Sequence, residues 1–266
     1  MRSVGDDSIA VKEGTAAAYI DLDRRFRRIE KEDASEEAIF ESYGGLAAFG
    51  DHGLTWDDVL KHDRVVILGE PGSGKTYELR ERARLMSLQG TPAFYVRLDR
   101  LVHESLDAAL DGDGVRLTEW LRRPRADHVF FADSVDESKL RSTNDFLTAI
   151  GHLAAGLGDR LARAKIVFSS RISDWRPDTD EYALFECLPA GRAISDARKT
   201  AESAKVPASE VKLLTVRLEP LDRARVGRFV AARGFCDVDA FLRSLDEAHA
   251  WPFARRPLDI NALADV

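Results

Sequence analysis

Gly69-Glu70-Pro71-Gly72-Ser73-Gly74-Lys75-Thr76 is the stretch that decides how the rest of the chain is read. It fits G-x-x-x-x-G-K-[ST] at every fixed position. Gly72 and Gly74 allow the backbone to curl until successive N–H groups point inward and form an anion cradle. A helix beginning at Gly74-Lys75 adds its positive N-terminal end. The Lys75 ammonium has the length to reach β- and γ-phosphates, and the Thr76 hydroxyl is placed to ligate Mg²⁺. Gly69, Glu70, Pro71, Gly72, Ser73, Gly74, Lys75 and Thr76 are therefore all expected on the ligand-binding surface. The flanks agree with this reading. Val65-Val66-Ile67-Leu68 is an apolar, β-branched run suited to a buried strand. Lys75 to Leu88 carries Leu79, Ala83 and Met86 on one helical face and meets Gly90 as a stop. A chance glycine-rich turn would need neither flank.

Further along, apolar runs and helical patterns alternate. Ala93 to Leu98 reads as a second strand, Leu101 to Leu110 and Arg116 to Leu121 as helices, and His128 to Ala132 as a third strand. A helix from about Asn144 to Leu157 precedes a fourth strand at Ile166-Val167-Phe168, and Leu213 to Leu218 is a fifth. Residues 172 to 210 contain three prolines and many small polar residues, and are expected to be loops and short helices. Such alternation predicts an α/β fold, a parallel five-stranded sheet flanked by helices with right-handed crossovers. After Pro220 the pattern is helical throughout: Leu221 to Ala232, Val238 to Ala248 and Leu258 to Ala264. Toward the N-terminus, Leu22, Phe26 and Ile29 at i, i+4, i+7 predict a helix over Asp21 to Asp33, with Asp21–Arg25 and Asp23–Arg27 as charge pairs. Its arginines (Arg24, Arg25, Arg27, Arg28) fit either a phosphate contact or a solvated, salt-bridged face. Thr55 reads as the N-cap of a short helix through Leu60. The expected division is an N-terminal helical or extended section over 1–60, a nucleotide-binding domain over 61–219, and the start of a helical subdomain over 220–266.

Two further motifs carry chemistry. In Val129-Phe130-Phe131-Ala132-Asp133-Ser134-Val135-Asp136-Glu137 an apolar strand ends in an acid. Asp133 would then stand at the carboxyl edge of the sheet, where a carboxylate holds Mg²⁺ directly or through water. The second acidic pair, one short turn later, suits activation of an attacking water. Glu137 is assigned as the base and Asp136 as its helper in the metal shell. An acidic helix start would explain two acids but not the apolar strand leading into them. Ile166-Val167-Phe168-Ser169-Ser170-Arg171 is a strand with a polar end, and Arg171 is either a γ-phosphate sensor or a surface arginine.

Composition narrows the alternatives. The chain has 266 residues, 44% hydrophobic and 32% charged, with a net charge of −7. Nothing in that balance draws it to nucleic acid or to anionic lipid. Cys187 and Cys236 fit no metal or redox spacing and read as free thiols. No segment approaches the about 18 consecutive apolar residues of a membrane helix, and the first eleven residues lack a signal-peptide core. A cytoplasmic location is expected.

The phosphate-loop run, the Asp133-Ser134-Val135-Asp136-Glu137 acidic pattern and Ser169-Ser170-Arg171 together resemble the NACHT group of STAND P-loop ATPases. The resemblance covers about residues 60 to 266, and the doubled acidic spacing is its discriminating feature. Arg255-Arg256-Pro257-Leu258 resembles that group's proline motif, which implies that Pro257 packs near an adenine. Taken alone, Pro257 is a helix N1 proline. The sequence departs from the pattern at Ile172, where many members carry proline. The resemblance implies a switch that binds ATP and ADP with Mg²⁺, hydrolyses ATP slowly, and self-associates through the NACHT domain. Effector and sensor domains are expected outside this chain, and bacterial members act in defence against phage. Two other classes stay open on the residues. One is a P-loop ATPase acting on nucleic acid, for which only Arg122-Arg123-Pro124-Arg125 offers a second dense basic run. The other is a non-catalytic module stabilised by nucleotide.

Overall fold

The computed structural model describes residues 19–29, 53–110, 112–123, 128–133, 135, 143–189 and 213–264. Its centre is a sheet of six strands: β1 (Phe26–Arg28), β2 (Arg64–Leu68), β3 (Ala93–Arg97), β4 (His128–Asp133), β5 (Ala164–Ser170) and β6 (Leu213–Leu218), in the order β1-β6-β2-β5-β4-β3. All neighbours pair parallel except β1, which runs antiparallel to β6 with Phe26 opposite Leu218. The helices are α1 (Trp56–Val59), α2 (Lys75–Leu88), α3 (Leu98–Leu101), α4 (Leu106–Ala109), α5 (Gly114–Leu121), α6 (Thr143–Leu157), α7 (Tyr182–Cys187), α8 (Arg223–Ala232), α9 (Val238–Glu247) and α10 (Pro257–Ala264).

Alternate side chains of each strand feed two separate cores, as the pleat requires. Val66, Leu68, Phe130, Ile166 and Phe168 face α6 and the short helices α3 to α5. Val65, Ile67, Phe131, Val167 and Val216 face α1 and α2, with Trp56 and Leu79. Strands covered on both faces need no polar alternation, which is why β2 is apolar from Val65 to Leu68. A third core joins Leu22 to Leu221, Val226, Phe229, Leu245 and Ile260, and so ties the N-terminal segment to helices α8 to α10.

The main departure from the sequence reading is at the N-terminus. Phe26 to Arg28 is a strand, not part of a helix over 21–33, and it makes the sheet six-stranded and mixed rather than five-stranded and parallel. Phe26 exchanges backbone hydrogen bonds with Leu54, at 2.9 and 2.7 Å, and lies fully buried against Trp56. Pairing on one side with β6 and on the other with Leu54 outweighs a weak helical preference. The predicted i,i+4 charge pairs are replaced as well. Asp23 pairs with Arg25 at 2.9 Å and Arg27 with Glu219 at 3.2 Å. The helix expected over 101–110 is broken into α3 and α4, and Leu98 belongs to α3 rather than to the preceding strand. The Thr55 cap forms a full capping box with Asp58.

The sheet order sets the position of the site. From β2 the chain crosses to the far edge at β3, steps back through β4 and β5, and then enters β6 on the other side of β2. The carboxyl end of β2, where the glycine loop begins, is therefore the topological switch point, and a crevice opens there.

Candidate functional site

The loop from Gly69 to Gly74 is held by its outer carbonyls. Arg256 Nη1 donates to Pro71 O at 3.4 Å, Leu258 N to Gly72 O at 3.4 Å, and Arg24 Nη1 to Ser73 O at 3.0 Å. In a trans peptide the carbonyl and the following N–H point in opposite directions. Fixing the Pro71 and Ser73 carbonyls outward thus turns the Gly72 and Gly74 amides toward the other side. Gly72 and Gly74 have φ of +74° and +93°, the region that only glycine enters at little cost. At Gly72 a Cβ would also lie 2.8 Å from Leu258 Cβ, so both conformation and space demand glycine. Ser73 Oγ is buried without a hydrogen-bond partner and lies 3.1 Å from where a Gly69 Cβ would stand, across the loop. Lys75 Nζ donates to Gly69 O at 2.7 Å and Glu70 O at 3.1 Å, bridging the mouth of the loop. A cradle of this shape, with a partnerless hydroxyl and an ammonium, fits a polyphosphate.

On one flank of the loop stands Asp133. Gly69 N donates to Ser170 O at 3.2 Å, which seats the loop's start on the end of β5. Ala132 pairs with Phe168, so Asp133 comes level with Ser169, whose hydroxyl donates to Asp133 Oδ1. From the other neighbouring strand Tyr95 OH donates to Asp133 Oδ2 at 2.9 Å. Asp133 is 1% exposed, and these two hydroxyls satisfy the buried carboxylate. Burial, then the Asp133 charge, pushes the Tyr95 phenol well above its ordinary range and keeps it a donor.

The other flank is a cavity of about 440 Å³, with Tyr19, Leu22 and Arg24 on one wall, Phe229, Pro257 and Leu258 on another, and Gly72, Lys75 and Thr76 at its base. Tyr19 stacks on Tyr77 with centroids 6.2 Å apart. Beneath the wall lies a buried ionic cluster. Arg24, 4% exposed, also donates to Glu219 O at 2.7 Å, and burial lowers its guanidinium to about 10. Glu78 accepts from Trp56 Nε1 at 2.7 Å, and desolvation raises its carboxyl above the usual range. Arg225 Nε donates to the Leu22 and Asp23 carbonyls, each at 3.0 Å, and so couples the N-terminal segment to α8.

The structure brings Lys75, Thr76 and Pro257 together around the cavity, with Pro257 at the first position of α10 and its Cγ 3.6 Å from where a Gly74 Cβ would stand. Asp133 is joined to the loop through Ser169 and Ser170 of β5. Arg171 directly follows Ser170 and is half-buried. Asp136 and Glu137 lie outside the described residues. Tyr19, Leu22, Arg24, Phe229 and Tyr95 were not singled out by motif. Leu22 had a signal only as part of an apolar stripe, and Arg24 only as one of four arginines in a charged segment. Its contact is to the loop's carbonyl, which no charge pattern specifies.

No family model and no curated protein matches the chain. Among solved structures it is similar to the replication initiator DnaA bound to AMPPCP and single-stranded DNA, at 15% identity and a TM-score of 0.41, over 77% of this chain and 55% of that one. It is similar also to AMPPCP-bound DnaA from Aquifex aeolicus, at 14% identity and a TM-score of 0.41, over 89% of this chain and 61% of that one. The chain spans 55% and 61% of the lengths of these two structures.

Proposed function

We propose that the chain is the nucleotide switch of a signal-transduction ATPase of the NACHT type, binding ATP and ADP with Mg²⁺ and hydrolysing ATP slowly. The observation that carries this reading is the seat of α10 against the loop. Leu258 N and Arg256 reach the Gly72 and Pro71 carbonyls, and Pro257 lines the cavity that Lys75 and Thr76 floor. A base in that cavity would touch the loop and the helical subdomain at once, so ligand contacts differ between closed and open arrangements, as a switch requires. The loop amides and Lys75 hold the phosphates. Pro257, Leu22 and Phe229 exclude water from the base. Thr76 and Asp133 would hold Mg²⁺, which supplies charge neutralisation at the phosphates. Glu137, with Asp136, takes the proton of the attacking water, and Arg171 senses the γ-phosphate.

By the family resemblance, exchange of ADP for ATP permits self-association, in a setting such as bacterial defence against phage, with effector and sensor elements outside this chain. Phosphate release by the wild type and by Glu137→Gln tests the enzymatic part. A slow wild-type rate, lost by about 100-fold or more in the variant, is expected of a general base. Equal background rates would remove hydrolysis from the reading. Size determination with ATP against ADP tests self-association, and identical sizes would refute it.

A further inference from the structure

We propose that Tyr95 is a positioning residue for Asp133, holding its carboxylate toward the Mg²⁺ of a loop-bound nucleotide; the assignment rests on the nucleotide reading above. Asp133 sits on β4 between two strands, and each strand supplies one hydroxyl. Ser169 of β5 takes Oδ1, and Tyr95 of β3 takes Oδ2 at 2.9 Å. In the β3–β4 register Tyr95 is opposite Phe131 and Arg97 opposite Asp133, so the Tyr95 ring reaches diagonally across two residues to the carboxylate. The ring itself is held from above. Arg80 Cζ lies 5.0 Å from its centroid, and Arg80 is one helical turn beyond Thr76 on the same face of α2. Tyr95 therefore links the two side chains assigned to the metal, Thr76 through Arg80 and the shared helix, and Asp133 directly.

The chemistry favours this pair of donors. A carboxylate offers about four lone-pair sites. The two hydroxyls occupy one on each oxygen, which stops the group rotating and leaves the remaining sites for a metal or its water. The phenol itself is neutral and donates to the carboxylate without an ion pair. Partners of this kind, one bond behind a metal ligand, typically govern metal affinity.

Titration calorimetry with ATP, in Mg²⁺ and in EDTA, on the whole chain tests the proposal. Tyr95→Phe keeps the ring beneath Arg80 and removes the hydroxyl, with its bonds to Asp133 and to Arg80. It is expected to lower the Mg²⁺-dependent gain in affinity about 10-fold while leaving the EDTA affinity unchanged. The effect is expected to vanish in an Asp133→Asn background. Ser169→Ala, which spares Tyr95, is expected to act in the same direction. A full Mg²⁺ gain in Tyr95→Phe, beside a lost gain in Asp133→Asn, overturns the Tyr95 role and leaves the nucleotide reading standing. Equal loss with and without Mg²⁺, or an effect that persists beside Asp133→Asn, marks Tyr95 as structural only and also overturns it. Wild-type binding that ignores Mg²⁺ overturns both.

Discussion

The two flanks of the glycine loop are built in opposite ways. The Asp133 flank comes from adjacent strands, and its members are placed by the backbone ladder: once β3, β4 and β5 pair, Tyr95, Asp133 and Ser169 are neighbours. The cavity flank comes from the two ends of the described chain. Its ties run between residues about 200 apart, Arg24 to Glu219 and Arg225 to Leu22 among them. It also depends on the third core closing over Leu22 and Phe229. The bonds from Arg256 and Leu258 to the loop, at 3.4 Å, are longer than a well-formed N–H···O contact. One flank is therefore placed by neighbouring strands, and the other by side-chain bonds and burial between segments far apart in the chain.

Four substitutions break or sharpen this contrast. The largest effect is expected at the element both flanks share. Lys75→Ala should lower ATP affinity by about 100-fold or more, since a buried phosphate charge loses its partner; calorimetry showing unchanged affinity would refute its place in the cradle. Next is Gly72→Val, which changes the shared loop on the side where it meets Leu258. Left-handed strain of ~1–2 kcal/mol, added to the clash with Leu258, should lower the thermal midpoint by about 2–8 °C and weaken ATP binding. The ratio of affinities with and without Mg²⁺ should stay the same, and a changed ratio would show that the flanks are not separable.

Leu258→Ser should act more mildly. Leu258 is 60% exposed, so stability barely moves, but losing an apolar wall should weaken ATP binding about fivefold. Tripolyphosphate, which has no base, should bind as before; equal loss for both ligands would place Leu258 at the phosphates instead. The smallest effect is expected at Glu78. Its folded-state carboxyl is raised by desolvation, so between the unfolded and the raised values the native state keeps a proton that the unfolded chain has released. Stability from this group is full below the unfolded value of 4.5 and is lost as pH rises through the raised value. Glu78→Gln should remove that fall, flattening denaturation midpoints measured from pH 4 upward. The difference between wild type and Glu78→Gln should fall across that window, and a difference that rises would contradict the sign.

Much of the sheet was legible because burial on two faces leaves a local signature. Val65 to Leu68, Ala93 onward, His128 to Ala132 and Leu213 to Leu218 are mostly apolar stretches, and each is a strand. The reading failed at Phe26, where spacing at i, i+4, i+7 is indistinguishable from a helix. Only the docking of β6 and Leu54, whose backbone groups needed partners, draws that residue into a strand. The candidate site divides similarly. The glycine loop and Asp133 stand out by motif, whereas Tyr95 has no pattern around it and is found only by its 2.9 Å contact.

The amino-acid sequence by itself determined the cradle, because glycine spacing, one lysine and the strand before them constrain backbone geometry within eight residues. It also determined that an acid would end a buried strand. The tertiary structure alone decided which side chains stand behind that acid, and that a cavity exists at all. Both require segments far apart in the chain to meet, and the free energy of such meetings resides in shared burial, which no local spacing records.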